Sequence, residues 1–263
     1  MADQQSPSKA PGDDYIQSLA RGLDVIKTFN AQRPHQTLSE VAAAAGLTRA
    51  GARRILLTLV HLGFALHDGR YFSLTPRILD LGYAYLSSMA LWDVAEPIVE
   101  ALVQAAKESS SIAVLDGTDI VYVLRVPTRK IMAVNLSIGS RLPAALTSMG
   151  RVLLSDLTPA ALEAHLDAFL AHPHPAALPY DRDSLRASID TVRRQGWSLV
   201  HQELEAGLVS IAAPIHDRNG RIVAAINISG IAKDDASVDS IKSLLPELQN
   251  TAASISRHLA RRI

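Results

Sequence analysis

The stretch TLSEVAAAAGLTRAGARRILLTL at residues 37–59 constrains this chain more than any other. It reads as two short helices around a tight turn, with arginines gathered on the second. Thr37 is placed to cap a first helix over 38–45, and Glu40, three residues on, completes a capping box. Gly46 closes that helix, because glycine takes the left-handed backbone at little cost. Thr48 then caps a second helix running to about residue 62. At roughly 100° per residue, Ala52, Ile55, Leu56, Leu59 and Leu62 gather on one flank and are predicted to face a core. Ala50, Arg53, Arg54 and His61 point away from it, and Arg49 sits at the exposed start. Gly51 is the anomaly, since glycine inside a helix costs about 1 kcal/mol against alanine.

Residues 63–74, GFALHDGRYFSL, read as two strands joined at Asp68-Gly69, a strong hairpin signal. Two helices followed by such a hairpin make a winged helix-turn-helix, whose second helix enters the major groove of duplex DNA. Arginine suits that place, because its planar fork grips guanine or phosphate bidentately. The candidate DNA contacts are Thr48, Arg49, Ala50, Arg53 and Arg54 on the second helix and Arg70 on the wing. A plain helical hairpin with a solvated arginine face is the competing reading, and local charge weighs against it. Residues 15–77 carry eight Lys/Arg against three Asp/Glu, whereas the whole chain is neutral. A basic excess confined to one segment is what a phosphate footprint requires.

At 263 residues the chain is long for one domain and comfortable for two. It has no cysteine, which excludes disulfides, thiolate zinc sites and cysteine nucleophiles. No apolar run approaches the ~20 residues that span a bilayer. The opening MADQQSPSKAPGDD lacks a signal-peptide core, so residues 1–14 are expected to be a disordered tail and the protein cytoplasmic. A DNA-binding domain is expected over 15–75, beginning with an amphipathic helix at 15–29. A linker helix follows over 76–90, started by Pro76, with Ile78, Leu81, Tyr85 and Leu86 as its apolar stripe.

Over 91–263 helices alternate with short strands, which predicts an α+β domain. Helices are expected at 92–107, from about 147, and at 157–170, 183–195 and 237–260. Strands are expected at 111–115, 120–125, 132–136, 197–202, 209–215 and 221–229, with loops at 137–143 and 172–179. This half holds seventeen Lys/Arg against nineteen Asp/Glu, a poor nucleic-acid surface. Two pieces of a small-molecule pocket can be read from it. One is the helix start Thr147, Ser148, Met149 and Gly150, whose free N–H groups favour an anion, although Thr147 or Ser148 can equally be a plain cap. Arg151 could add charge or make a surface ion pair. The other is the hairpin around DRNG at 217–220. A four-residue loop pairs Ile211 with Ile226 and Ile215 with Ile222 on an apolar face, and sets Ser210 opposite Asn227 on the other, beside Ala212, Ala225 and Ser229. That second face is either solvated or a cavity wall. Glu203 and His201 lie on the approach.

No G-x-S-x-G elbow or H-E-x-x-H pair frames a catalytic centre, and GSRL at 139–142 lacks the ending of a phosphate loop. His172 and His174 form a metal-capable pair without companions, so no metal or cofactor is expected. The competing function class is a small-molecule enzyme whose basic N-terminal domain only assembles subunits. Salt-dependent binding to DNA separates the two.

The segments SLARGLDVI at 18–26, the helix-turn-helix itself, DGRYFSLTPRILDLGYAYL at 68–86, GSRLPAALTSMGRVLL at 139–154 and GLVSIAAPIHDRNGRIVAAINISG at 207–230 closely resemble the IclR family of bacterial transcriptional regulators. RILDLGYAYL and TSMGRVLL further resemble its branch controlling protocatechuate and β-ketoadipate catabolism. The resemblance implies a homodimer or dimer of dimers on a palindromic operator, a GAF-like or profilin-like C-terminal domain, and a small organic acid bound near Ser210, Asn227 and Ser229. The family often has serine where this chain has Asn227. A regulator of a non-aromatic carboxylate pathway stays open beside the aromatic one.

Overall fold

The structure is a computed structural model, and it describes residues 14–88, 92–128, 136–172, 180–232 and 234–261. Two compact units divide between Tyr85 and Leu86.

The first unit opens with α1 (Gln17–Lys27), then a two-residue strand β1 (Gln36–Thr37), α2 (Leu38–Ala44) and α3 (Arg49–His61). The wing is β2 (Ala65–His67) and β3 (Tyr71–Leu74), with β1 added on the outer side of β3. The capping box forms as expected: the Thr37 N–H donates to Glu40 Oε2 at 2.7 Å, and the Glu40 N–H donates to Thr37 Oγ1 at 3.4 Å. The Thr37 N–H and hydroxyl, both donating to its carboxylate, hold Glu40 below its ordinary pKa. Thr48 caps α3 by accepting from the Gly51 N–H at 3.1 Å. A Cβ at Gly51 would meet that same oxygen at 3.2 Å, a close contact that the other threonine and aspartate caps of this chain accommodate. Ala52, Leu56 and Leu59 enter a core with Val25, Val41, Ala65 and Phe72. Leu62, the residue that caps the end of α3, does not, being 48% exposed. After a 3-10 turn at Pro76–Ile78 comes α4 (Leu79–Ser88), on which Leu79, Leu81, Tyr83 and Tyr85 are exposed.

The second unit is built on one antiparallel six-stranded sheet. Its elements are α5 (Trp92–Ala106), β4 (Ser109–Asp116), β5 (Asp119–Val126), β6 (Arg141–Pro143), α6 (Ser148–Leu154), α7 (Pro159–Ala171), α8 (Arg182–Gln195), β7 (Ser198–His201), β8 (Leu208–His216), β9 (Ile222–Ile231), α9 (Asp235–Ser243) and α10 (Leu245–Arg261). The strand order is β6-β5-β4-β9-β8-β7. One face, with Ile112, Ile211, Ile226 and Ile228, packs on α5, α9 and α10. The other, with Ala113, Ala212 and Ala225, packs on α6, α7 and α8. Small residues there let α6 approach closely. A Cβ at Gly150 would lie 2.0 Å from the Ala144 carbonyl oxygen, so only glycine fits.

Several expectations need correction. The segment 141–143, expected to be loop, is an edge strand paired with β5. The helix expected over 237–260 is two helices broken at Leu244, because Pro246 has no N–H to donate to the carbonyl of Lys242 and can only sit in the first turn of a new helix. The 132–136 strand falls outside the described residues apart from Leu136, and so does most of the 172–179 loop, His174 included. The β8–β9 register also differs. Ser210 faces Ser229, Ile211 faces Ile228, and Asn227 faces Ala212. The turn is one residue longer than expected, since His216 pairs with Ile222, and an irregularity beyond it at Val223 adds another. A one-residue error would have exchanged the faces. Two residues restore them, so Ser210, Asn227 and Ser229 still share one face.

Candidate functional site

The expected DNA-contacting residues lie in the first unit. Arg49 and Arg53 of α3 and Arg70 of the wing border one groove of about 460 Å³, together with Thr37, Ser39 and His67. No carboxylate among the described residues lies within ion-pair distance of any of these arginines, and Arg49, Arg53, Arg54 and Ala50 are all exposed. Arg54 stands on the exposed side of α3 but does not border the groove. Arg70 is held over the Tyr71 ring at 5.0 Å, and Asp68 accepts from the Arg70 and Tyr71 N–H groups, fixing the wing turn. His67 was not foreseen. It stacks on Phe72 at 4.2 Å and forms part of the groove wall.

The second unit encloses a cavity of about 170 Å³ between the sheet, the start of α6 and the loop after β7. Thr147, Ser148, Met149, Glu203, Ser210, Asn227 and Ser229 all line it. Gly150 does not; it makes the contact with Ala144 described above. His201 stays outside and pairs with the Gln202 amide at 2.8 Å. Leu136, Leu142, Leu146, Val200, Leu204 and Leu208 give the cavity its apolar walls.

Its polar floor is a connected network. The Asn227 amide donates to Ser210 Oγ at 3.0 Å, and its carbonyl oxygen accepts from the Ser111 N–H at 2.9 Å. Ser210 and Ser148 share a hydroxyl hydrogen bond of 2.7 Å, tying the sheet to α6. Thr147 caps α6 by accepting from the Gly150 N–H at 3.1 Å. All of Ser148, Ser210, Asn227 and Ser229 are buried. Among buried polar groups such mutual satisfaction offsets desolvation, which otherwise costs about 1–3 kcal/mol per unpaired group.

The charged residues lining the cavity are Arg125, Glu203 and Glu205, and a second arginine, Arg151, stands behind Glu203. Arg151, one turn into α6 and 6% exposed, donates to the Ala145 carbonyl at 3.0 Å. Its fork grips Glu203 at 2.8 and 2.5 Å, and Tyr180 holds the Glu203 carbonyl from outside at 2.7 Å. Arg151 is therefore a buried strut for the loop after β7. Arg125 on β5 lines the cavity and donates to Ser111 Oγ at 3.3 Å. Tyr122 lies beside it, its hydroxyl pKa pushed up to about 12 by burial, with the Arg125 charge opposing the shift.

Regular strand alternation puts Tyr122 and Arg125 on opposite faces, which hides both from a reading of the sequence. An irregularity opposite Ile112 and Ala113 leaves Val123 and Leu124 on the α5 side together, and brings Tyr122 and Arg125 onto the cavity side. Among the described residues no group of three or more His, Asp or Glu side chains is placed to hold a metal, and no helix is long and apolar enough to cross a membrane.

Comparison with known proteins places both units. Residues 18–69 match the family described as the IclR helix-turn-helix domain, and residues 83–257 match the C-terminal domain of bacterial transcriptional regulator IclR. The Pca regulon regulatory protein of Pseudomonas putida is 43% identical over 82% of this chain and 75% of its own length. The p-hydroxybenzoate hydroxylase transcriptional activator of Acinetobacter baylyi is 34% identical over 96% and 95%. Among solved structures, a Rhodococcus sp. RHA1 protein described as a transcriptional regulator superposes with a TM-score of 0.83 at 50% identity, covering 94% of this chain and 99% of that one. An IclR homologue from Microbacterium hydrocarbonoxydans, solved with 4-hydroxybenzoate, superposes with a TM-score of 0.76 at 25% identity, over 92% and 98%. A capped helix-turn-helix with unpaired arginines, a wing, and a sheet domain matched along its length make this chain a member of the IclR family of DNA-binding transcriptional regulators.

Proposed function

We propose that this regulator binds a palindromic operator as a homodimer or dimer of dimers, and that a small aromatic-pathway carboxylic acid in the 170 Å³ cavity controls its operator binding or activity. The cavity carries the reading: apolar walls, a few convergent polar groups and a size near the roughly 150 Å³ that holds a benzene ring. The names of the Pseudomonas and Acinetobacter relatives and the 4-hydroxybenzoate in the Microbacterium structure point the same way. The sheet domain is of a GAF-like or profilin-like kind in this reading. Arg49, Arg53 and Arg70 contact the duplex, with Thr48 and Ala50 at the groove-facing start of α3 and Arg54 on the flanking backbone. Exposed apolar side chains at and on α1 (Ile16 just before it, then Leu19 and Leu23) and on α4 (Leu79, Leu81, Tyr83) supply surface for a second copy. The protein works in the cytoplasm, where its DNA is, and catalyses no reaction.

Thermal unfolding of the full chain with a panel of aromatic acids tests this. A ligand present at a hundred times its Kd stabilises the native state by about 2.7 kcal/mol. Asn227→Leu is expected to abolish that shift and the effector response, while operator binding persists because the DNA-contacting residues belong to the other unit. A normal effector response in Asn227→Leu would move the ligand elsewhere. Loss of operator binding alone would make Asn227 a residue that maintains the assembly.

A further inference from the structure

The cavity has an arginine at one side of its floor and carboxylates at the other. Strand order runs β5-β4-β9-β8-β7, so β5 and the loop after β7 stand at opposite sides of the floor. Arg125 is on β5. In direct register across the strands come Ser111, Asn227 and Ala212, placing Arg125 and Asn227 two strand spacings apart, about 9–10 Å between backbones. Glu203 and Glu205 line the far side, on the loop after β7. The Arg151 charge is already taken by Glu203 and the Ala145 carbonyl. Arg125 is bonded only to a neutral serine hydroxyl and has no carboxylate partner among the described residues. Arg125, without a carboxylate partner, therefore faces Glu205 and the Arg151-paired Glu203 across a space the size of an aromatic ring.

We propose that Arg125 anchors the effector's carboxylate at the β5 side, and that the Ser148–Ser210 hydroxyl pair with Glu203 takes a ring hydroxyl at the other, so that the cavity selects hydroxybenzoates over unsubstituted benzoates. This rests on the effector-pocket reading above and reverses the orientation expected from the sequence, which put the carboxylate at the start of α6. A seven-residue helix whose Thr147 is spent on capping offers an anion less than a free guanidinium does. A ligand carboxylate at that end would also stand on the side of Glu205, which has no cationic partner among the described residues, and like charges repel. A phenolic hydroxyl can donate to the Glu203 carboxylate or join the serine chain.

Calorimetric titration of the full-length protein with 4-hydroxybenzoate, benzoate and 4-hydroxybenzamide tests it. The amide keeps the ring and hydroxyl but carries no charge. Wild type is expected to prefer 4-hydroxybenzoate to the other two by about tenfold or more, the worth of a charge-assisted hydrogen bond. Arg125→Met should weaken the acid by about ten- to a hundredfold and leave the amide nearly unchanged. Arg125→Lys should keep part of the acid-over-amide preference, which a purely structural role would not produce. Acid binding that survives Arg125→Met, or equal loss of acid and amide in both variants, overturns the orientation. Wild-type protein that binds none of the three overturns the pocket reading along with it.

Discussion

Removing Glu203 leaves the Arg151 guanidinium buried without its counter-ion, and the cost can be worked from the geometry. Arg151 is 7% exposed at its side chain and Glu203 is 25% exposed. Glu203→Ala deletes both acceptors of the fork and leaves only the Ala145 carbonyl bonded to Arg151. Breaking a fully buried pair from one side costs about 3–5 kcal/mol. A quarter-exposed partner admits some water to the vacated place, so about 2–3 kcal/mol is expected here. For a unit of this size that lowers the thermal midpoint by roughly 4–12 °C, at about 2–4 °C per kcal/mol. Differential scanning calorimetry of wild type, Glu203→Ala and Glu203→Gln reads it. Glu203→Gln keeps one acceptor and should lose less. A midpoint for Glu203→Ala within 1 °C of wild type would refute the view of Arg151 as a strut that depends on Glu203.

Gly150→Ala drives a methyl into the Ala144 backbone and should cost about 3 kcal/mol or more in chemical denaturation, beyond the usual overpacking range; a neutral result would mean that the contact relaxes freely. Arg53→Ala should weaken operator binding by about 1–3 kcal/mol while Arg54→Ala, outside the groove, weakens it less, as read by fluorescence anisotropy on an operator duplex; the reverse order would move the recognition surface around α3. Tyr122 holds its proton to about pH 12 in the folded state and to about 10 when unfolded, so it contributes fully below pH 10 and its contribution falls as pH rises from 10 to 12, by about 2–3 kcal/mol. Tyr122→Phe should remove that segment of the stability–pH curve, and an unchanged curve would place the titration elsewhere.

The helix-turn-helix was legible because its signals are local. Thr37, Glu40, Gly46 and Thr48 each act within four residues of their own position, and the wing turn is two residues long. The serines and Asn227 of the cavity were legible because a strand's period of two survives an error of two in register. Arg125 and Tyr122 were not, because one irregularity in β5 breaks that period, and nothing in DIVYVLRV marks where it falls. Arg151 reads as a surface cation at a helix end until tertiary packing shows α6 entirely buried. Gly150 read as part of an anion-binding helix start, and its packing role against Ala144 was hidden because the two meet only through the turn that precedes α6.

Anisotropy titration of a labelled duplex from upstream of this protein's own gene, with and without 4-hydroxybenzoate or its dihydroxy analogue, tests most directly that one chain couples DNA recognition to an aromatic acid. Binding should be sequence-specific, should weaken steeply with salt as phosphate contacts release counter-ions, and should change in affinity or stoichiometry when the acid is added. Affinity that is the same for any duplex, or operator binding indifferent to every aromatic acid that stabilises the protein against heat, would contradict it.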